Sequence, residues 1–240
     1  MNAVNAETLA RLARIDTATI CNVIEMFDVR PRNVEYTGPQ IVAQFPELPV
    51  MLGYATTAVY RSSQPDSTAN PYAMLTDQLA AIQTVPGPRV LFIQDLDEPL
   101  AGACIGGIMA TMYKSAGCVG VVTNGAGRDV DEIRELDLNF YSTGRICSRA
   151  YFHLLDFNVP VTVGGLTVEP GDLVHGDGDG VTKIPPQLVA QLPEICEEYL
   201  AIEKELADAI KSGGVKRVDE AFAASRVRFQ ELAARIETLS

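Results

Sequence analysis

Clusters of basic residues are missing from this chain. Its formal net charge is −12 at pH 7, from 31 Asp and Glu against 19 Lys and Arg. A nucleic-acid groove needs Lys and Arg gathered in one place to displace counterions, so no nucleic-acid partner is expected. Histidine occurs only at His153 and His175, without the spacing of a metal-ligand pair, and structural roles are expected for both. The five cysteines, Cys21, Cys104, Cys118, Cys147 and Cys196, form no C-x-x-C pair. An odd, dispersed set reads as buried reduced thiols rather than a disulfide frame. The longest charge-free stretch, Leu100 to Tyr113, is broken by glycines and too short to span a bilayer, so no membrane partner is expected. Met1 to Arg14 lacks the basic-then-apolar order of a signal peptide. These absences together predict a cytoplasmic protein. Gly106-Gly107 lacks the G-x-G-x-x-G spacing of a dinucleotide loop, and no glycine-rich loop suited to a nucleotide-like methyl donor is present. No internal repeat stands out.

What the chain does have is hydrophobic patterning of two periods. Leu9, Leu12, Ala13, Ile15, Ile20, Val23, Ile24 and Phe27 recur near helical spacing. They predict a helix over Ala6 to Phe27, with a break and a new cap at Asp16-Thr17. Val50 to Tyr60 reads as a strand, Arg61 to Asn70 as a polar loop and Ala73 to Thr84 as a short helix. Val90 to Ile93, bounded by Pro88 and Asp95, has the pattern of a buried strand. A helix over Gly107 to Ala116 and a buried strand over Cys118 to Thr123 follow. That strand–helix–strand order predicts a right-handed crossover with a site at its loops. Between Val159 and Lys183, Gly164-Gly165, Pro170-Gly171 and the glycines from Gly176 to Gly180 punctuate short β-rich pieces and predict hairpins. Asp177-x-Asp179 lacks the other ligands of a calcium loop and reads as a turn. Pro193 to Lys211 and Val218 to Thr238 read as charged amphipathic helices. At 47% apolar residues, a full hydrophobic core is expected. The reading is an α/β layered domain with terminal helices, a single domain over residues 1–240 with a C-terminal helical extension from about residue 190.

Chemistry concentrates around Gly106-Gly107-Ile108-Met109 and Asn124-Gly125-Ala126-Gly127-Arg128-Asp129-Val130-Asp131-Glu132. Free N–H groups at a helix start favour an anion, so Gly106, Gly107, Ile108 and Met109 are candidate substrate-binding residues. Arg128 adds a planar fork suited to a carboxylate or enolate. Asp129 and Glu132 are hard oxygen donors suited to Mg²⁺ or Mn²⁺. Arg128-Asp129 could equally be a surface ion pair, and Glu132 a carboxylate of a first helical turn. The glycine-rich approach, which permits close backbone contact with a ligand, favours the functional reading. Arg145 and Arg149 lie downstream as readers of a second carboxylate or as solvated loop residues.

Gly107, twenty intervening residues, Arg128-Asp129, two more and Glu132 resemble the signature of the RraA-like family. That family includes metal-dependent 4-hydroxy-4-methyl-2-oxoglutarate aldolases and the regulator of ribonuclease activity A. Asp16-Thr17-Ala18 resembles its opening helix, and Val161 to Asp172 and Asp177 to Val181 its late strands. The resemblance implies a swivelling β/β/α-type fold and a homotrimer or a pair of trimers. It implies a divalent-metal-dependent class II aldolase or lyase that cleaves a 4-hydroxy-2-oxo-dicarboxylate to pyruvate, with oxaloacetate decarboxylation as a side activity. Catalysis would rest on Arg128 and Asp129, with metal on Asp129 and Glu132. A C-terminal glutamate, Glu203 or Glu205, would approach the metal of a neighbouring subunit. The alternative the same resemblance offers is a non-catalytic regulator that docks on a ribonuclease or another protein.

Overall fold

The computed structural model describes residues 4–65, 72 and 74–239. The end of the polar loop expected up to Asn70, and Ala73 at the expected helix start, lie outside the described residues. The elements begin with α1 (Ala6–Leu12), α2 (Thr17–Met26), β1 (Val42–Ala43), β2 (Met51–Arg61), α3 (Leu75–Thr84) and β3 (Arg89–Asp95). They continue through β4 (Ala103–Ile105), α4 (Gly107–Ser115), β5 (Cys118–Thr123), β6 (Ala126–Gly127), α5 (Val130–Glu135), β7 (Asn139–Ser142) and β8 (Gly144–Arg145). The last are β9 (His153–Phe157), β10 (Val161–Val163), β11 (Leu166–Val168), β12 (Leu173–Asp177), β13 (Gly180–Ile184), α6 (Leu192–Gly213) and α7 (Val218–Glu237). The chain divides into two compact units, Asn33–Pro186 and Val4–Arg32 with Gln187–Ser240.

In the first unit the main sheet has the order β1-β7-β5-β3-β2-β12-β13. The central strands β2, β3, β5 and β7 run parallel to one another, and β1, β12 and β9 pair with them antiparallel. The second edge of the long β2 is shared: Met51 to Tyr54 pair with β12, and Ala58 to Arg61 with β9. Side chains alternate across β3. Leu91 and Ile93 pack with Leu75 and Ile82 of α3, Ala110 and Tyr113 of α4 and Ile133 of α5. Val90 and Phe92 face the other way, toward Val161, Val163, Leu166 and Val168 of the β10–β11 hairpin. A strand covered on both faces must be apolar at successive positions, which is why Val90, Leu91, Phe92 and Ile93 form an unbroken run, each fully buried. Burying each such side chain contributes about 1.5–3 kcal/mol. The result is a layered α/β arrangement of helices, parallel-centred sheet and small antiparallel hairpin. The hairpin closes through Gly164 and Gly165, whose φ values of 58° and 91° suit the two-residue turn that matches strand twist.

The second unit is helical. Asp16 caps α2, its carboxylate accepting from Thr19 N–H at 2.7 Å and from Thr19 Oγ1 at 2.8 Å. That cap is the physical cause of the break between α1 and α2. α6 packs on α7 and on α2, burying Ile195, Cys196 and Ile202 of α6, Ile20, Val23 and Ile24 of α2, and Leu232 and Ile236 of α7. Arg235 donates to Glu198 and Glu194, each at 2.6 Å, and Arg11 forks onto Glu197 at 2.9 and 2.8 Å. Glu205 accepts from Arg228 at 2.8 Å.

Candidate active site

The three chemical groups singled out in the sequence meet at the start of α4. Asp129 and Glu132 lie 22 and 25 residues further along the chain than Gly107, and the segment that returns them is built from close backbone approaches. Asn124, just after β5, holds the end of β3 through both ends of its amide. Its Oδ1 accepts from Asp95 N–H and its Nδ2 donates to the Asp95 carbonyl, each at 2.8 Å. The next residues pair into a three-stranded sheet, β4-β6-β8, and Arg128 N–H donates to the Ile105 carbonyl at 3.0 Å. A Cβ on Gly127 would stand 2.6 Å from the Phe140 ring, and one on Gly125 would stand 2.9 Å from Asp95 Oδ2. Only glycine lets the chain pass so close to the core.

Asp129 is left-handed, with φ 53° and ψ 38°, and occupies the position that would cap α5. Its carboxylate makes no cap bond to its own helix. It turns instead to α4, where Oδ2 accepts from Gly107 N–H at 3.3 Å and stands 3.6 Å from Arg128 Nε. Aspartate tolerates left-handed backbone better than most residues, yet a non-glycine residue held there is the kind of local strain found at functional sites. Glu132 completes the approach. Its Oε2 lies 1.9 Å from where a Cβ on Gly107 would stand, and Asp129 Oδ2 lies 2.8 Å from the equivalent point on Gly106. The paired glycines therefore provide the space into which two carboxylates fold.

Arg128 and Asp129 stand in the walls of two cavities. One, of about 380 Å³, is lined by Leu75, Ile105, Gly106, Ile108, Met109, Met112, Phe152, Tyr72, Ala103 and Arg149 besides that pair. The other, of about 500 Å³, is lined by Gly127, Val130, Asp131, Glu132, Arg145, Ile146 and Cys147 with the same pair. Arg145 and Arg149 thus both border the site. Arg149 donates to the Tyr72 hydroxyl at 2.7 Å, and Arg145 lies 3.9 Å from Asp131. Cys147 is exposed and Cys21 half-buried, which corrects the expectation of buried thiols at those positions; Cys104, Cys118 and Cys196 are buried, and burial raises each thiol to about 12.

The histidines lie outside both cavity walls. His175 is fully buried in β12, and His153 shares a hydrogen bond with the Tyr151 carbonyl at 2.7 Å. Asp177 and Asp179 form the β12–β13 turn, with Asp179 N–H donating to Asp177 Oδ1 at 3.0 Å.

One buried carboxyl was not read from the sequence. Asp95 is 4% exposed, and its Oδ2 has no hydrogen-bond partner among the described residues. Burial raises its carboxyl to about 6; the hydrogen bond from Asp97 N–H opposes the rise and the Asp97 charge adds to it. At Asp97 itself burial also pushes upward, but Ser63 Oγ at 2.6 Å and the amides of Ser62 and Ser63 outweigh it and hold the carboxyl below its ordinary value. Nothing in local periodicity marks Asp95; the one signal is a carboxylate closing an otherwise apolar strand.

Asp129 and Glu132 suit a hard divalent cation. Among the described residues no three His, Cys, Asp or Glu side chains converge as a metal cluster. Mg²⁺ commonly binds through one or two carboxylates and keeps its remaining positions for water and substrate. Two carboxylates bordering one cavity fit that pattern.

The RraA-like family model, described as Aldolase/RraA, matches residues 17–182. A Halalkalibacterium halodurans protein provisionally named 4-hydroxy-4-methyl-2-oxoglutarate aldolase is 32% identical over 112 residues, covering 45% of this chain and 53% of its own length. An Ectopseudomonas mendocina protein with the same provisional name is 32% identical over 111 residues, 46% of this chain and 67% of its own. The match thus spans about half the length of the first of these relatives. Among solved structures, an uncharacterized protein from Pseudomonas syringae superposes with a TM-score of 0.73 at 24% identity, covering 93% of this chain and 96% of that one. Streptomyces coelicolor RraAS2, described as an unusual member of the RNase ES inhibitor RraA protein family, gives 0.68 at 23% identity over 85% and 97%. Those structural likenesses establish the fold. With its family model covering more than half of its length, the chain belongs to the RraA-like family.

Proposed function

We propose that this protein is a divalent-metal-dependent carbon–carbon lyase that cleaves a 4-hydroxy-2-oxo acid and releases pyruvate. The observation that carries the reading is the convergence of Arg128, Asp129 and Glu132 on Gly106-Gly107 at the mouth of two cavities. Asp129 and Glu132 would hold Mg²⁺ or Mn²⁺, which as a Lewis acid supplies charge stabilisation to a 2-oxo acid. The amides of Ile108 and Met109, at the open start of α4, would hold the substrate's C1 carboxylate. Arg128 would donate to the oxygen on which charge develops as the C3–C4 bond breaks. In that step the C4 hydroxyl would lose its proton to a water molecule, the C4 carbon would become a carbonyl, and the bonding pair would pass into the pyruvate enolate, which then takes a proton from water at C3. The same residues would serve oxaloacetate decarboxylation, where carbon dioxide leaves in place of the carbonyl product. The homotrimer implied by the family resemblance belongs to this reading as well.

The test is proton exchange at the pyruvate methyl group, which needs no knowledge of the second product. Wild-type protein with Mg²⁺ in D₂O should erase the methyl signal in proton NMR faster than Asp129→Ala, and oxalate should inhibit the loss. Exchange no faster than the Asp129→Ala control would overturn the lyase reading and favour a docking protein.

A further inference from the structure

We propose that the substituent at C4 of the substrate is a bulky apolar group, alkyl or aryl, seated in the 380 Å³ cavity beside Arg128. The inference rests on the lyase reading and departs from the dicarboxylate that the resemblance implies. Arg128 and Asp129 belong to both cavity walls, so a 2-oxo acid held between them must send its C4 group to one side or the other. The larger cavity carries Asp131, Glu132 and Arg145, a solvated polar rim. The smaller is walled by Leu75, Ile105, Ile108, Met109, Met112 and Phe152.

Ile108 and Met112 stand one helical turn apart on α4, which places them on the same face. They leave 72% and 36% of their surface exposed, apolar surface that a ligand in this cavity would cover. The two methionines among these residues adapt to irregular apolar shapes. A carboxylate at C4 would instead lose its hydration against these side chains. Two arginines stand in this wall: Arg128 serves the reacting end of the substrate in the lyase reading, and Arg149 donates to the Tyr72 hydroxyl at 2.7 Å.

The experiment compares kcat/KM for pyruvate release by the wild-type protein with Mg²⁺. The substrates are 4-hydroxy-2-oxo acids bearing methyl, butyl, phenyl or carboxylate at C4. From methyl to butyl the value should rise about fourfold per methylene, and the carboxylate substrate should fall below the methyl one by about tenfold or more. A carboxylate substrate equal to or better than the butyl one would overturn the proposal. Met112→Lys should raise the carboxylate-to-butyl ratio by about tenfold. Both rates are read in the same protein, so a reduced folded fraction cancels, and an unchanged ratio would count against the cavity. Wild type that exchanges pyruvate methyl protons yet cleaves none of the apolar substrates would sink this proposal while leaving the lyase reading in place. Loss of exchange as well would sink both.

Discussion

Replacing Gly107 with alanine tests the core of the site with one methyl group. The new Cβ would stand 1.9 Å from Glu132 Oε2, 3.0 Å from Glu132 Cδ and 3.2 Å from Glu132 Cβ. The two nearest atoms are the far end of a flexible side chain, so the carboxylate swings away, while the Cβ contact requires a shift of only a few tenths of an ångström. Gly107 is the first residue of α4 and its φ is not positive, so alanine is compatible with the backbone and improves helix propensity by up to about 1 kcal/mol. For a chain of this size that moves Tm by no more than about 2–4 °C. Displacing Glu132 should weaken Mn²⁺ binding by about ten- to a hundredfold, the loss typical when a group supporting a metal is removed. Mn²⁺ affinity is read from water-proton relaxation, and pyruvate exchange at saturating metal reads the chemistry. The decisive comparison is a double-mutant cycle with Glu132→Ala. If both changes act through the same carboxylate, Gly107→Ala adds nothing in the Glu132→Ala background. Unchanged Mn²⁺ affinity in a folded Gly107→Ala protein would refute a metal role for Glu132; full additivity would show that the glycine acts by another route.

Three further outcomes follow from the same geometry. Arg128→Lys keeps the charge and loses the fork, so pyruvate-release kcat should fall about a hundredfold with KM changing less; a raised KM at unchanged kcat would show that Arg128 serves only the ground state. Asn124→Ala removes two 2.8 Å hydrogen bonds to the Asp95 backbone and should cost about 1–3 kcal/mol, with pyruvate exchange impaired in the remaining folded protein; an unchanged urea midpoint would show that the clamp is dispensable. Asp95, raised to about 6 mainly by burial, lies above its unfolded value of about 3.9, so its contribution to stability is full below about pH 4 and is lost as pH rises through about 6. Asp95→Asn should flatten the fall in Tm over that window, and a slope equal to wild type would refute the assignment.

How much of this was legible in the sequence depended on the range of the forces involved. The Asp16 cap, the buried run Val90 to Ile93 and the glycine-closed hairpin are set by neighbours within a few residues, so pattern and propensity located them. The small sheet β4-β6-β8 escaped because two- and three-residue strands fall below any readable period. β7 and β9 carry no local signal either: their exposure is set by distant pairing, with β5 and with β2 respectively. Of the site, Arg128, Asp129, Glu132 and the glycines were legible because their spacing is itself the signal. The sequence leaves Arg149 open between a carboxylate reader and a solvated loop residue, since nothing near it discloses the wall it shares with Leu75 and Met112. The clamp between Asn124 and Asp95 was hidden for the same reason, its partners being 29 residues apart.

Asp129 shows why a site of this kind sits where local preferences conflict. By its sequence neighbours it should cap α5, and α5 is left without that bond. Giving up such a cap costs about 1 kcal/mol, and a left-handed non-glycine residue adds to it. The surrounding structure holds the conformation against that cost. Arg128 N–H is fixed to the Ile105 carbonyl, Gly127 is pressed on Phe140, and Thr143 holds the Gly125 carbonyl through its N–H at 3.1 Å and its hydroxyl at 2.9 Å. The carboxylate that would have satisfied its own helix is thereby turned toward Gly107 and the two cavities. A residue with a stronger local alternative than aspartate's cap would slip back into its helix, and one without a carboxylate would have nothing to present.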